Sequence, residues 1–277
     1  MKYLFLISLF FPTGVYAQQF ADLNYFPSQG EFVGSSSLQT STTELSIASV
    51  MKIKTQQPSL SQFLSYGFAD RFNLSISLPF AISGSTSTTI GGSTTKDSLD
   101  TESLGVVTHL SFLLISDPEK DSRLVMKVHY NPKSLNDREI GYIGLTLAGN
   151  GHFSETTSWM ISSTYLQYEK TESIKSVSVH STELSLQHYF SEQLFIRPTF
   201  SLAIESNTKP QDGSFEIHYD PRIGLGLAFG GYIGGSDVVG LLSAQYFTGD
   251  TEAFAGGTTA SGKFGGRVFS GSLSYRF

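Results

Sequence analysis

Apolar and polar residues alternate along most of this chain. In "FNLSISLPFAI", Phe72, Leu74, Ile76, Leu78, Phe80 and Ile82 fall on one face, and Asn73, Ser75, Ser77, Pro79 and Ala81 on the other. Helical spacing would scatter those apolar positions around an axis, so period two predicts a strand. "RLVMKVHY" sets Leu124, Met126, Val128 and Tyr130 against Lys127 and His129. "LFIRPTFSLAI" sets Leu194, Ile196, Phe200, Leu202 and Ile204 against Arg197, Thr199, Ser201 and Ala203. "FEIHYDPRIGLGLAF" reads as one strand, with Phe215, Ile217, Tyr219, Ile223 and Leu225 opposite Glu216, His218, Asp220, Arg222 and Gly224. The pattern predicts about twelve strands, at 42–54, 60–68, 72–82, 103–115, 123–131, 139–149, 157–169, 175–190, 193–206, 214–229, 237–248 and 265–277. The segments 157–169 and 237–248 show no clear facing.

The connections between these strands are unequal. On one side they are short, as at Ala69–Arg71 and Ser191–Glu192. On the other lie the long polar stretches Ser83–Glu102 and Gly249–Phe264, although Thr55–Ser59 and Lys170–Ile174 are short there too. Aromatic residues gather at the short turns: Tyr66, Phe68 and Phe72 at the first, Tyr189, Phe190 and Phe195 further on, and Phe229 with Tyr232 at the last. Short periplasmic turns, longer external loops, strands of about 9–11 residues or more and aromatic girdles mark membrane barrels of the bacterial outer membrane. Soluble strands average roughly 5–6 residues, which counts against a secreted sandwich.

Composition points the same way. The opening "MKYLFLISLFFPTGVYAQQ" carries Lys2, an apolar run and small residues before a cleavage point after Ala17, so residues 1–17 read as a secretory signal peptide. Residues 18–41 read as a polar lead-in, and 42–277 as the barrel. Charged residues make up 15% of the chain, against about 25% in soluble proteins. The net charge is −6 and basic clusters are lacking, which argues against nucleic acid as a partner. With no cysteine, no disulfide framework is available. The chain ends "SGSLSYRF", with Leu273, Tyr275 and Phe277 alternating against polar neighbours. That ending resembles the C-terminal signal by which outer-membrane barrels present their last strand to the assembly machinery. A closing strand docked by edge pairing would need such alternate side chains.

"YGFADRFNLSISLPF" resembles a hairpin of the meta-pathway phenol-degradation family of outer-membrane proteins. In that family a strand ends in Tyr-Gly, turns through Asp-Arg and continues to Leu-Pro-aromatic; Tyr66, Gly67, Asp70, Arg71, Leu78, Pro79 and Phe80 match it. The resemblance covers one hairpin. It implies a porin-like protein of the outer membrane associated with aromatic compounds. Read by itself, the hairpin needs Asp70 to organise a turn, Arg71 to face headgroups and Pro79 to mark a strand end or bulge.

The polar face of the strands would line the lumen. Ser, Thr, Gly, Ala and Asn dominate it, with Lys127, Glu183, Arg197, Glu205, Asp220, Arg222 and Arg276 as charged positions. Such charges tune selectivity in pores or pair with one another to fill the interior. Twelve strands enclose more space than the eight whose side chains just fill a barrel. The expected role is therefore passive passage of small solutes, with aromatic or apolar compounds as candidates, through a barrel whose other partner is membrane lipid. Two alternatives stand beside it. One is a closed structural or adhesive barrel acting through external loops. The other is a barrel lipid hydrolase, for which His109 with Ser111, or His180 with Ser181, would supply base and nucleophile. No metal-ligand spacing, phosphate loop or dinucleotide fingerprint is present, so no cofactor is expected.

Overall fold

The computed structural model describes residues 26–277, apart from 49, 118–121, 138–139, 155, 173, 192 and 234–237. The expected signal peptide lies outside the described residues. Sixteen strands follow in chain order: β1 (Phe32–Ile47), β2 (Met51–Ala69), β3 (Phe72–Ala81), β4 (Gly84–Ile90), β5 (Ser93–Leu99), β6 (Glu102–Ser103), β7 (Val107–Asp117), β8 (Ser122–Asn131), β9 (Tyr142–Ser154), β10 (Thr157–Tyr168), β11 (Val177–Tyr189), β12 (Leu194–Glu205), β13 (Glu216–Tyr219), β14 (Arg222–Tyr232), β15 (Val238–Ala255) and β16 (Thr258–Arg276). Twelve of them, β1–β3, β7–β12 and β14–β16, form a closed antiparallel barrel. β1 closes it against β16, in register from Val33↔Arg276 to Ile47↔Gly262. Phe277 adds one rung beyond the ladder, its N–H donating to the Phe32 carbonyl at 2.9 Å.

The alternation fixes which side faces lipid. Leu64, Leu74, Ile76, Leu145, Leu147, Leu225 and Leu227 are exposed on the outer face, while Ser65, Ser75, Ser77, Thr146 and Ser185 are buried inside. An apolar exterior around a polar interior is stable only in a bilayer, where closure also removes every unpaired edge. At the end where β1 begins and β16 finishes, rings pair on the outer face: Phe32 stacks on Tyr66 with centroids 4.5 Å apart and Phe68 on Phe72 at 5.9 Å, and Tyr275 meets Phe277 edge to face at 5.1 Å. This is the aromatic belt expected at a headgroup boundary. Tyr189 and Phe195 do not join it. They turn inward and pack with Ala228, Val239 and Leu241.

Four expectations are corrected, each for a local reason. β1 starts at Phe32, inside the expected lead-in, because "GSSSLQTSTT" has small residues on both faces and hides its period. β2 runs unbroken from Met51 to Ala69, through the predicted turn at Thr55–Ser59. Pro58 sits where β2 stops pairing with β3 (Ser59↔Ala81) and starts pairing with β4 (Gln56↔Ser85), an irregularity in which proline is tolerated. The stretches Ser83–Glu102 and Gly249–Phe264 are strands that continue beyond the lipid band. β4 and β5 turn at Gly91–Gly92, and β15 and β16 at Gly256–Gly257; all four glycines have positive φ, as two-residue hairpins demand. Finally, the strand expected at 214–229 breaks at Asp220–Pro221. Register against β15 shifts by one residue there, from Tyr219↔Thr251 to Ile223↔Thr248. A one-residue shift exchanges the two faces, so Ile217 and Tyr219 are buried inside while Ile223 and Leu225 face out.

The barrel is therefore lopsided. β1, β2, β15 and β16 have 16, 19, 18 and 19 residues, whereas β7 to β12 have 10 to 13. The long strands rise as a wall at the end away from the termini. Opposite it, the links 169–176 and 206–215 dock on each other: Ile174 bridges Pro210, and the Lys175 N–H donates to the Lys209 carbonyl at 2.9 Å.

Candidate functional site: the barrel lumen

Beneath the long wall the lumen narrows onto apolar side chains. Leu45, Ile47, Ile53, Ile217, Tyr219, Phe247, Phe264 and Val268 form one buried cluster. Across the barrel at the same end, a second joins Val107, Ile140, Tyr142, Leu166, Tyr168, Ile174, Val177 and Val179. Arg222 and Glu205 lie beside the first. Their side chains are 4% and 0% exposed and meet Nη2 to Oε2 at 2.9 Å. The guanidinium also sits 5.4 Å from the centre of the Phe264 ring. Gly249 makes room for it, because a Cβ there would stand 2.6 Å from Arg222 Cγ.

Lower in the lumen the lining is polar and continuously hydrogen-bonded. Ser77 Oγ lies 3.1 Å from His109 Nε2, His109 Nδ1 lies 2.7 Å from His129 Nδ1, and His129 Nε2 lies 2.7 Å from Thr146 Oγ1. Thr146 then meets Thr164 at 2.8 Å, so the chain of contacts crosses five strands, β3 and β7 to β10. Since each Nδ1 faces the other, one ring must donate and the other accept when both are neutral. Lys127 faces the same space, two residues before His129 on β8. On the other side of the lumen, Arg197 donates from Nε and Nη2 to Gln187 Oε1 at 3.0 and 2.6 Å. Glu183 accepts from Ser185 Oγ at 3.2 Å, and Ser185 meets Thr199 at 3.1 Å.

The terminal end is narrowed from below. Phe26 and Pro27 are buried, and the Gly67 face turned to the lumen is covered by the carbonyls of Pro27 and Ser28. The Gly30 N–H donates to the Gly67 carbonyl at 2.7 Å, and the Gly67 N–H to that of Glu31 at 3.0 Å. Arg276 stands at this rim, 3.6 Å from Glu31.

Of the seven charges expected in the lumen, six face it, and two of these, Glu205 and Arg222, form a buried pair. Asp220 does not. It occupies the strand break, is exposed, and lines a recess on the outer wall. The sequence offered His129 and Tyr219 only as members of alternating rows, Gln187 only as part of the strand expected at 175–190, and Phe264 only as the end of the polar stretch Gly249–Phe264. Their contacts depend on the stagger between strands, which no single strand reveals. His109 bonds Ser77 and His129 rather than Ser111. His180 faces outward onto Ser163 at 2.8 Å, on the opposite side of β11 from Ser181. In the Tyr66–Phe80 hairpin, Tyr66, Leu78 and Phe80 face lipid, Gly67 faces the lumen, and Asp70 and Arg71 make the turn.

No protein-family profile matches the sequence, and no characterised protein is significantly similar to it in sequence. Solved structures are similar in fold. The COG4313 outer membrane channel from Pseudomonas putida F1 superposes with a TM-score of 0.63 at 12% identity, over 94% of this chain and 99% of that one. A FadL homologue from Pseudomonas aeruginosa gives 0.50 at 9% identity, over 88% and 90%. The outer membrane protease OmpT from Escherichia coli gives 0.43 at 10% identity, over 92% and 99%. The closed twelve-stranded barrel and its apolar outer face identify a bacterial outer-membrane β-barrel, with the turns at the terminal end periplasmic and the wall external.

Proposed function

We propose that the protein is a passive channel for small solutes that combine an apolar or aromatic body with a polar group. The observation that carries this reading is the order of the lining. Apolar residues, among them Phe247, Phe264 and Tyr219, occupy the external end, hydrogen-bonding residues from Ser77 to Thr164 lie below, and Phe195, Val239 and Leu241 line the periplasmic end. A solute with both kinds of surface finds a complement at each level. The hairpin resemblance to the phenol-degradation family supports the same substrate class, and the likeness to the Pseudomonas putida channel supports the transport role. Lys127, Glu183, Arg197, Glu205 and Arg222 tune passage, Arg276 acts at the periplasmic rim, and the strand ending in Leu273, Tyr275 and Phe277 is the one the assembly machinery reads. A hydrolase reading has less support, because His109 and Ser111 make no nucleophile–base contact among the described residues.

Two measurements on protein refolded into lipid test the proposal. Planar-bilayer recordings should show stable single-channel steps, and the ion preference should change with Lys127→Glu. Liposome swelling should be faster with a hydroxylated aromatic than with a sugar of similar size. Folded protein that gives neither steps nor swelling would overturn the channel reading and leave the external wall as the working surface.

A further inference from the structure

The outer face of the wall is not flat. A recess of about 1070 Å³ opens on the outside of the barrel across β1, β15 and β16, with Lys54 of β2 at its edge. Its floor is a grid of outward positions in register. Thr42, Arg267 and Tyr246 form one row, Glu44, Gly265 and Thr248 the next, and Ser46, Lys263 and Asp250 the third. Gly265 puts no side chain at the centre of the grid, and that gap gives the recess its depth.

Its height above the lipid follows from the strand. On β16 the outward residues run from Phe277 through Tyr275, Leu273, Gly271 and Phe269 to Arg267. Ten residue steps at ~3.3 Å along a strand tilted by ~40° give about 25 Å, the height of the apolar band. Arg267 therefore stands at the outer headgroup boundary. Tyr246, beside it in register, is the kind of aromatic that favours that level. Lys263 lies four residues higher on the same face, ~13 Å along the strand.

The charges are arranged unusually for a surface. Lys54, Lys263 and Arg267 make no ion pair or hydrogen bond among the described residues, although Glu44 and Asp250 stand opposite Lys54 and Lys263 in register. Glu44 bonds Lys52 instead, at 2.7 Å. Four carboxylates, Glu44, Asp220, Asp250 and Glu252, line the recess with these three cations, so the ligand that suits it carries phosphates for the separated Arg267 and Lys263 and several hydroxyls for the carboxylates. A simple phospholipid headgroup offers a single phosphate, which cannot reach both Arg267 and Lys263 about 13 Å apart along the strand. We infer that this recess holds the headgroup of a bisphosphorylated saccharolipid of the outer leaflet, with Arg267 and Lys263 each taking a phosphate, Glu44 and Asp250 accepting from sugar hydroxyls, and Gly265 admitting the ring. The assignment is independent of whether the lumen conducts.

Binding would be measured by native mass spectrometry and ligand-induced thermal shift on the detergent-solubilised full-length protein. The probes are a bisphosphorylated disaccharide lipid, its dephosphorylated form, phosphatidylglycerol, and the lipid-free bisphosphorylated disaccharide. The wild type should prefer the first by at least tenfold, and Lys263→Gln with Arg267→Gln should remove that preference while leaving the unliganded melting temperature unchanged. Phosphatidylglycerol bound as tightly, or a double variant with unaltered preference, would overturn the site. Equal affinity for the lipid-free disaccharide would overturn its assignment to a membrane lipid.

Discussion

Replacing Glu205 by leucine should destabilise this barrel far more than replacing both Glu205 and Arg222. The two side chains meet at 2.9 Å with 0% and 4% exposure, so neither ion reaches bulk water. Breaking a pair in such a place leaves a buried charge uncompensated and costs ~3–5 kcal/mol, whereas exchanging both ions for apolar groups of similar volume is close to neutral. Glu205→Leu and Arg222→Met are each expected to cost about that much, and the double variant about 1 kcal/mol or less, because Leu and Met extend the apolar cluster already formed by Tyr219, Phe247 and Phe264. The cycle would then give a coupling of about 5 kcal/mol or more, above the ~0.5–3 kcal/mol usual for residues in contact, because both single variants leave an ion buried. Urea unfolding in lipid vesicles, followed by the fluorescence of Trp159, the only tryptophan, provides the readout. Trp159 belongs to the periplasmic end, far from the pair, so its signal reports global unfolding. Single variants costing less than about 1 kcal/mol each, and adding up in the double, would refute the reasoning. That is how a water-exposed ion pair behaves, and it would mean that water reaches the pair itself.

Two further outcomes follow from contacts at the mouths. Glu216 accepts from Lys209 at 2.9 Å, His218 at 2.6 Å and Asn207 at 2.8 Å, and these bonds, Lys209 foremost, lower its pKa from the usual 4.5 to about 2. A depressed carboxylate stabilises the folded form above its ordinary pKa and ceases to as pH falls through the lowered value, so hydrogen-exchange protection at Thr208 and Ile217 should drop between pH 4.5 and 2; Glu216→Gln should remove that pH dependence, and a drop that survives the substitution would assign it elsewhere. At the periplasmic mouth, Gly67→Val places a side chain on the carbonyls of Pro27 and Ser28 and should release residues 26–28, seen as faster proteolysis of the N-terminal segment and larger channel conductance with the barrel intact; unchanged cleavage would show that the segment is not held by this contact.

The barrel was legible where a strand crosses lipid, because there one face must be apolar and the other can be polar. β3, β8 and β12 satisfy that rule, and their limits fall within two residues of expectation. Where the wall leaves the membrane the constraint is gone. The upper parts of β15 and β16 carry Ser, Thr and Gly on both faces, so the alternation that betrays a strand is missing while the hydrogen-bond ladder continues; β1 hides its period even within the lipid band, where Gly34, Ser36, Thr40 and Thr42 share its outer face with Leu38. The lumen charges were legible as a row, since facing follows from parity. Asp220 escaped because a single extra residue at Asp220–Pro221 reverses parity, and Pro221 is the only local sign of it. Which charge meets which was not legible. Arg222 reaches Glu205 through the pairing of β12 with β14, set by a stagger that is a property of the closed ring and of no strand alone.

The hairpin turn at Gly256–Gly257 also has a use in protein engineering. β16, with 19 residues, spans about 48 Å along the barrel axis, roughly 20 Å more than the apolar band. The extra height is a ladder bonded to β15 throughout and to β1 as far as Ser261–Gly262, so it behaves as a stalk rather than a tether. A peptide inserted between these two glycines would be carried clear of the lipid headgroups at a fixed height and direction, and its own disorder would have little mechanical purchase on the rungs below. Cell-surface display usually relies on flexible loops for reach. Here reach and rigidity come from the same strands.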